Sequence, residues 1–436
     1  MCEYDETEKM EEKMKEKTQV QRLMLGLQHV LAMFGATVLV PALTGLNTSI
    51  TLMCAGIGTL IFHMVTKRKV PVFLGSSFAF MGGVIAIIGN SRMGDPDFLG
   101  KLAEVKGAII VAGFVYVVVA LLIKILGYEK VNKLLPPIVT GPIIIVIGLR
   151  LSGSAIQNAF YWNKQFDLRA VLVAVVVLAT IICFSVFAKG IFNLMPILFA
   201  IIAGCLVCWP LGFNDMSAVN QASWISFMDQ NILKQLLCIP VFKAEAILVL
   251  APISMVTIIE HVGDITTNGA VVGKNFMVDP GVHRTILGDG LATMFAGLFG
   301  GPANTTYGEN TGVLAVTKNY DPSIIRIAAV IAIILGVFGK VGGFIQSIPT
   351  PVSGAIGIVL YGMISAVGVR ILINARINMG NSRNLMIAAL ILVLGIGCDS
   401  VPVSKSLTIS GLALAAIAGI VLALILPEGN DSVVEE

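Results

Sequence analysis

Four carboxyl groups stand inside apolar stretches of this chain, and their placement suggests chemistry. Glu260 and Asp264 are spaced i, i+4, so they share one face of a helix. Glu309 stands between Gly308 and Asn310, and Asp289 between Gly288 and Gly290. A carboxylate facing a site accepts N–H donors, and a buried carboxyl can also carry a proton. His29 follows Gln28, and His261 follows Glu260 about 100° further around the helix. Both histidines read first as structural hydrogen-bonders. Asp289, flanked by two glycines, reads as a helix-linking group. The four histidines are too scattered for a metal site, and no phosphate-binding loop is present, so no cofactor, metal or ATP is expected.

The elements that carry these residues follow from composition. The chain has 436 residues, 56% hydrophobic and only 13% charged, with a mean hydropathy of +0.90. Twelve of the charged side chains fall in residues 1–22 and four after Pro427. What remains is too few to coat a soluble protein, which excludes a soluble enzyme or a nucleic-acid binder and indicates a polytopic α-helical membrane protein. The net charge of +3 points to no polyanionic partner, and the seven scattered cysteines to no disulfide framework. Candidate spans of mostly apolar residues are 23–44, 48–66, 70–90, 107–127, 134–152, 168–188 and 191–212, then 243–264, 283–300, 303–317, 323–345, 350–373, 382–398 and 407–426. With the N-terminus inside, nineteen Lys/Arg fall inside and ten outside, which places both termini in the cytoplasm. An acid inside such a span costs about 2.5–3.5 kcal/mol, so those kept there usually mark a substrate or ion path.

Fourteen spans split by a polar stretch make two sets of seven, and seven is odd, so the sets must be inverted repeats. Two echoes support this: Gln28-His29-Val30 against Glu260-His261-Val262, and LPPIVTG at 135–141 against IPTPVSG at 348–354. The third span of each set, VPVFLGSSFAFMGG at 70–83 and GGPANTTYGENTG at 300–312, is broken by glycine and small hydroxyl residues. Short broken segments in matching positions are the best pointer to a transporter's binding site, because irregular backbone is tolerated at membrane depth only where it is buried or lines a cavity. Half-helices with N–H groups facing one site are expected there.

The blocks QHVLAMFGATVLVP (28–41), GSSFAF (75–80), EHVGD (260–264) and GDGLATMFAGLFGGPANTTYGENTGVLAVTK (288–318) resemble the nucleobase–ascorbate transporter family, in order and from about Leu23 to Leu426. Glu309-Asn310-Thr311-Gly312 followed by Thr317-Lys318 looks like its signature. The resemblance implies fourteen transmembrane segments in two inverted repeats of seven, with short antiparallel strands in broken segments 3 and 10. It implies a cytoplasmic extension (1–22), a core domain (23–133 and 243–348), a gate domain (134–242, including the connecting stretch, and 349–426) and a cytoplasmic tail (427–436). It further implies a multi-pass protein of the bacterial cytoplasmic membrane that imports uracil with a proton, and a homodimer. Carried over, Glu260 and Glu309 accept from the ring N–H groups. The N–H groups of Phe78 and Gly308 donate to its carbonyls. Tyr307, Ala36 and Tyr361 line the pocket beside Ser77 and Asn310, and Glu260, Asp264 and His29 couple the proton. Glutamate at the signature's first position is similar to uracil carriers, where glutamine is usual for xanthine and urate. Asp264 departs from the histidine of well-known uracil–proton symporters, which leaves Na⁺ coupling open. A purine carrier and an anion carrier of the sulfate-permease type are the other readings, the last disfavoured by the paired acids.

Overall fold

The computed structural model describes residues 19–89, 91, 95–127, 136–398, 400–404 and 407–427. The expected extension 1–22, apart from its last four residues, and the tail 427–436, apart from Pro427, lie outside them. The chain is almost wholly helical. The first half runs α1 (Gln19–Thr44), α2 (Thr48–Val65), β1 (Leu74–Ser76), α3 (Met81–Ile88), α4 (Phe98–Leu126), α5 (Pro137–Phe160), the hairpin β2–β3 (Tyr161–Trp162, Gln165–Phe166), α6 (Leu168–Ile182) and α7 (Pro196–Leu211). Two short helices, α8 (Ser217–Gln221) and α9 (Gln230–Leu237), fill the polar stretch. The second half runs α10 (Ala244–Leu250), α11 (Ile253–Val272), α12 (Val282–Phe299), β4 (Asn304–Thr306), α13 (Gly308–Thr317), α14 (Pro322–Val337), α15 (Gly339–Gln346), α16 (Thr350–Asn374), α17 (Ser382–Gly397), the hairpin β5–β6 (Ser400–Ser404, Leu407–Ser410) and α18 (Gly411–Ile425).

Among the described residues, seven helices are long and apolar enough to cross a membrane, and four shorter apolar helices accompany them. This is a multi-pass membrane protein. The repeated LPPIVTG and IPTPVSG segments do the same job twice, each placing proline in the first turn of a long helix, α5 and α16. Those two helices then lie side by side. A methyl group on Gly148 would sit 2.3 Å from the Tyr361 carbonyl oxygen, and one on Gly368 would sit 2.6 Å from that of Gly141. Small residues at such crossings let backbones pack directly, as membrane helices require.

Several expected spans differ in detail. The one expected at 323–345 breaks at Phe338 into α14 and α15, and the one at 407–426 opens with the strand β6. The helix expected at 107–127 begins at Phe98, because Lys101, Glu104 and Lys106 hide its first turns from a hydropathy window. The span expected at 243–264 is a short helix that breaks at Ala251–Pro252, then α11, which continues eight residues past Asp264.

Candidate functional site

The broken segments meet. β1 and β4 pair antiparallel, with Leu74 opposite Thr306, Gly75 opposite Thr305 and Ser76 opposite Asn304. Each strand is pinned by a threonine of the helix before it. Thr59 on α2 accepts from Leu74 N–H (2.9 Å), and its hydroxyl proton lies within reach of the carbonyls of Ala55 (2.8 Å) and Leu74 (3.2 Å). Thr293 on α12 accepts from Asn304 N–H (3.2 Å) and donates to its carbonyl (3.0 Å). Beyond the ladder, Ser77 N–H donates to Ala303 O (2.8 Å) and Tyr307 N–H to Phe73 O (3.1 Å). The next N–H groups along each arm are those of Phe78 and Gly308. Gly308 opens α13, so its N–H has no acceptor within the helix. Tyr307 locks the crossing: its hydroxyl donates to Ser76 O (2.8 Å), and a methyl on Gly75 would lie 2.5 Å from the Tyr307 ring.

α11 brings the acids to this crossing. Glu260 and Asp264 are partly exposed, while His261 between them is fully buried. His261 Nδ1 lies 2.8 Å from Asp289 Oδ2, and neither side chain is accessible. The helix-linking reading of Asp289 thus has its partner. Gly288 and Gly290 allow it, since added methyls would meet Phe62 at 2.8 Å and Tyr116 at 2.6 Å. Thr306 Oγ1 donates to Asp264 Oδ2 (2.9 Å), which ties the second acid to the end of β4. Glu309, in the first turn of α13, is exposed to a cavity of about 200 Å³. A side chain begun at Gly308 would lie 3.8 Å from Asp264 Oδ1, which sets the second acid of α11 beside the residue that precedes Glu309.

His29 is buried and joined to α13 through Asn310, whose Nδ2 lies 3.1 Å from both His29 Nδ1 and the His29 carbonyl. A carbonyl only accepts, so the amide group there is the donor and His29 Nδ1 accepts as well. Phe78 packs between the Tyr307 and Tyr361 clusters. Ser77 is buried beside it. Tyr361 is buried on α16, in one cluster with Leu39 and Met81. The Ala36 side chain lies outside the described residues. Thr59, Thr293, Thr306 and Thr311, which accepts from Asn268 Nδ2 at 3.0 Å, are the site residues that reading the sequence missed. A threonine in a membrane helix carries no signal of its own, since most bond back to their own helix.

Residues 20–404 match the model of a permease family. The uracil permease of Bacillus caldolyticus is 46% identical over 409 residues, covering 93% of this chain and 92% of that one. The uracil permease of Bacillus subtilis is 41% identical, covering 93% and 92%, and that of Escherichia coli strain K12 36%, covering 93% and 91%. Among solved structures, the transmembrane domain of the cyanobacterial bicarbonate transporter BicA aligns with a TM-score of 0.58 at 15% identity, covering 92% of this chain and 96% of that one. The murine anion transporter Slc26a9, in its inward-facing state, aligns with a TM-score of 0.67 at 8% identity, covering 94% and 68%. At such low identity these last two speak for the fold alone. With the family model spanning most of its length and four motif blocks in order, the chain belongs to this permease family, the nucleobase–ascorbate transporters, and stands there beside the bacterial uracil permeases.

Proposed function

We propose that the chain imports uracil across the bacterial cytoplasmic membrane by proton symport, with Glu260, Glu309 and the N–H groups of Phe78 and Gly308 forming the site. The observation that carries this is the crossing itself. Uracil is planar and neutral, with two N–H donors and two carbonyl acceptors. Two carboxylates and two N–H groups at the ends of crossed half-segments offer the complementary set. Ser77 Oγ, Thr305 Oγ1 and Asn310 Oδ1 are buried there without a hydrogen-bond partner among the described residues. Such orphaned groups are rare and suit a site completed by a polar ligand or water. A site of this kind rejects analogues that leave one of its groups unpaired.

Glu260 carries the coupling proton in this reading, with Asp264 held beside it by Thr306. His29 takes part indirectly. A proton arriving on its Nδ1 would break the bond from Asn310 and so be felt by the helix that bears Glu309. The matching threonine clamps support two inverted repeats of seven segments. A core of residues 23–133 and 243–348 would then move against a gate of 134–242 and 349–426, with both termini in the cytoplasm and two chains joined through their gates. Uracil uptake into proteoliposomes, with pH and Na⁺ gradients imposed separately, tests the coupling. Uptake driven by the Na⁺ gradient alone would overturn proton symport. Excess xanthine should not compete, and competition would favour the purine reading. The fold likeness to anion transporters is no argument for an anion here, because paired carboxylates repel one.

A further inference from the structure

The cavity at Glu309 is lined by none of the strand residues, and part of its wall is built unlike the rest. Of its lining residues only Glu309, Ser185 and Asn193 are polar. Ser185 lies in a π-helical turn, Cys183–Phe187, that ends α6, and Asn193 in a 3-10 turn, Gly190–Leu194, that precedes α7. π turns are rare and gather at functional sites, and two irregular turns facing one cavity repeat the logic of the broken segments. This wall is seated on the helices of the central site. A methyl on Gly35 of α1 would lie 2.8 Å from Ile197 Cγ2, and one on Gly312 of α13 would lie 2.9 Å from Leu194 Cδ2. The Asn193 carboxamide is loosely held, with Nδ2 3.4 Å from the Ala188 carbonyl, beyond the usual range for such a bond.

We propose that Ser185 and Asn193 form a second, transient subsite for the nucleobase, between Glu309 and the membrane face at which α6 ends. This rests on the reading of Glu309 as a uracil acceptor. A carboxamide presents a donor beside an acceptor, the complement of the N–H and C=O along one edge of a pyrimidine imide, and a serine hydroxyl adds either role. The apolar flanks, Ile356 and Leu360 among them, suit the faces of a planar ring. A neutral ring leaving the acids would otherwise cross a wholly apolar stretch with its polar edge unpaired, which is costly. The subsite lowers that barrier without adding to affinity at the centre.

The test compares wild type with the Ser185→Ala/Asn193→Leu double variant, by equilibrium uracil binding in detergent and by uptake and efflux in proteoliposomes. Binding should stay within about twofold, while the maximal transport rate falls about tenfold, the scale of a hydrogen-bonding partner lost from a barrier. Asn193→Gln, which keeps the carboxamide, should recover most of the rate. An unchanged rate in the double variant overturns the subsite. So does a binding constant that weakens in step with the rate, or an Asn193→Gln variant as slow as Asn193→Leu. If the double variant does not fold, the two single substitutions answer the same question. Glu309→Gln, measured alongside, separates the two readings. Undiminished binding there overturns the central site, whereas lost binding there together with an unaltered double variant overturns the subsite alone.

Discussion

The two arms that cross at the centre share a skeleton and differ in what they carry. In each, a threonine hydroxyl of the preceding helix accepts from the N–H of the first strand residue and lies within hydrogen-bonding reach of its carbonyl. The strand then lends one more N–H across the crossing, and a short helix follows. In this correspondence Leu74 matches Asn304, Phe78 matches Gly308, Ala79 matches Glu309 and Phe80 matches Asn310. The helices facing the arms repeat the contrast, since Gln28 on α1 matches Glu260 on α11. The first arm carries no charge, whereas the second bears Glu309 and the helix facing it bears Glu260 and Asp264. One skeleton made twice carries acids once, and the proposed site for a single ring asks for no more: a second set of acids within the membrane would add repulsion and desolvation cost without another ring to bind.

The largest test of that contrast is Glu309→Gln against Ala79→Ser. Losing a charged acceptor should weaken uracil binding about 100-fold, near the upper end for a hydrogen bond to a charged group. The change on the first arm adds one hydroxyl at a buried position that carries no charge, and should change uracil binding by less than about threefold, the scale of one neutral hydrogen bond. Calorimetric titration of the purified protein measures both, and comparable losses would mean that the arms share the chemistry. Glu260→Gln against Gln28→Leu is the same comparison one helix away, with the large loss again confined to the acid.

The clamps should behave in the opposite way. Thr59→Val and Thr293→Val each leave a buried strand donor unsatisfied, so each should lower stability by about 1–3 kcal/mol. Thermal unfolding in detergent reads this as two similar downward shifts. A large inequality between them would show that the skeleton is not shared. A smaller effect belongs to Asn310→Leu. It frees α13 from His29 and should weaken uracil binding about tenfold, as one misplaced partner does, whereas the matching Phe80→Leu should leave binding near wild type.

How much of this was legible in the sequence depended on whether a residue advertises itself against an apolar background. Glu260, Asp264, Glu309 and the glycine-broken segments stand out at once, because a charge or a helix-breaker has no bland place in a membrane span. The breaks marked where two segments meet, but the antiparallel pairing of Leu74–Ser76 with Asn304–Thr306 was expected from the family resemblance alone. The threonine clamps did not stand out, since a hydroxyl is common in such helices and its partner is set by three-dimensional packing. Nor did Lys106. Its charge looked like a loop, yet it is fully buried in α4, where Nζ donates to the carbonyls of Gln235 (3.0 Å), Leu236 (3.3 Å) and Cys238 (2.5 Å) and so caps the end of α9. The bond between His261 and Asp289 joins residues 28 apart that were each read as structural, but only the fold makes them partners.

The smallest expected effect on binding is the most telling about coupling. Asp264 accepts from Thr306 through Oδ2, and its carboxylate sits beside Gly308, 3.8 Å from where a side chain there would begin. In Asp264→Asn an amide oxygen can still accept the Thr306 bond, so the end of β4 and the Gly308 N–H should stay in place. Uracil binding should then change by less than about threefold, within the range of a hydrogen-bond partner exchanged for another. What the amide cannot do is take up and release a proton. If Asp264 only positions the second arm, concentrative uptake driven by a pH gradient should survive the change. If it shares the proton with Glu260, the variant should bind and exchange uracil across the membrane but fail to accumulate it. Either result divides the labour among the three acids of the proposed site, in which Glu309 is assigned to the ring and Glu260 to both ring and proton, while the two assays together decide the part of Asp264.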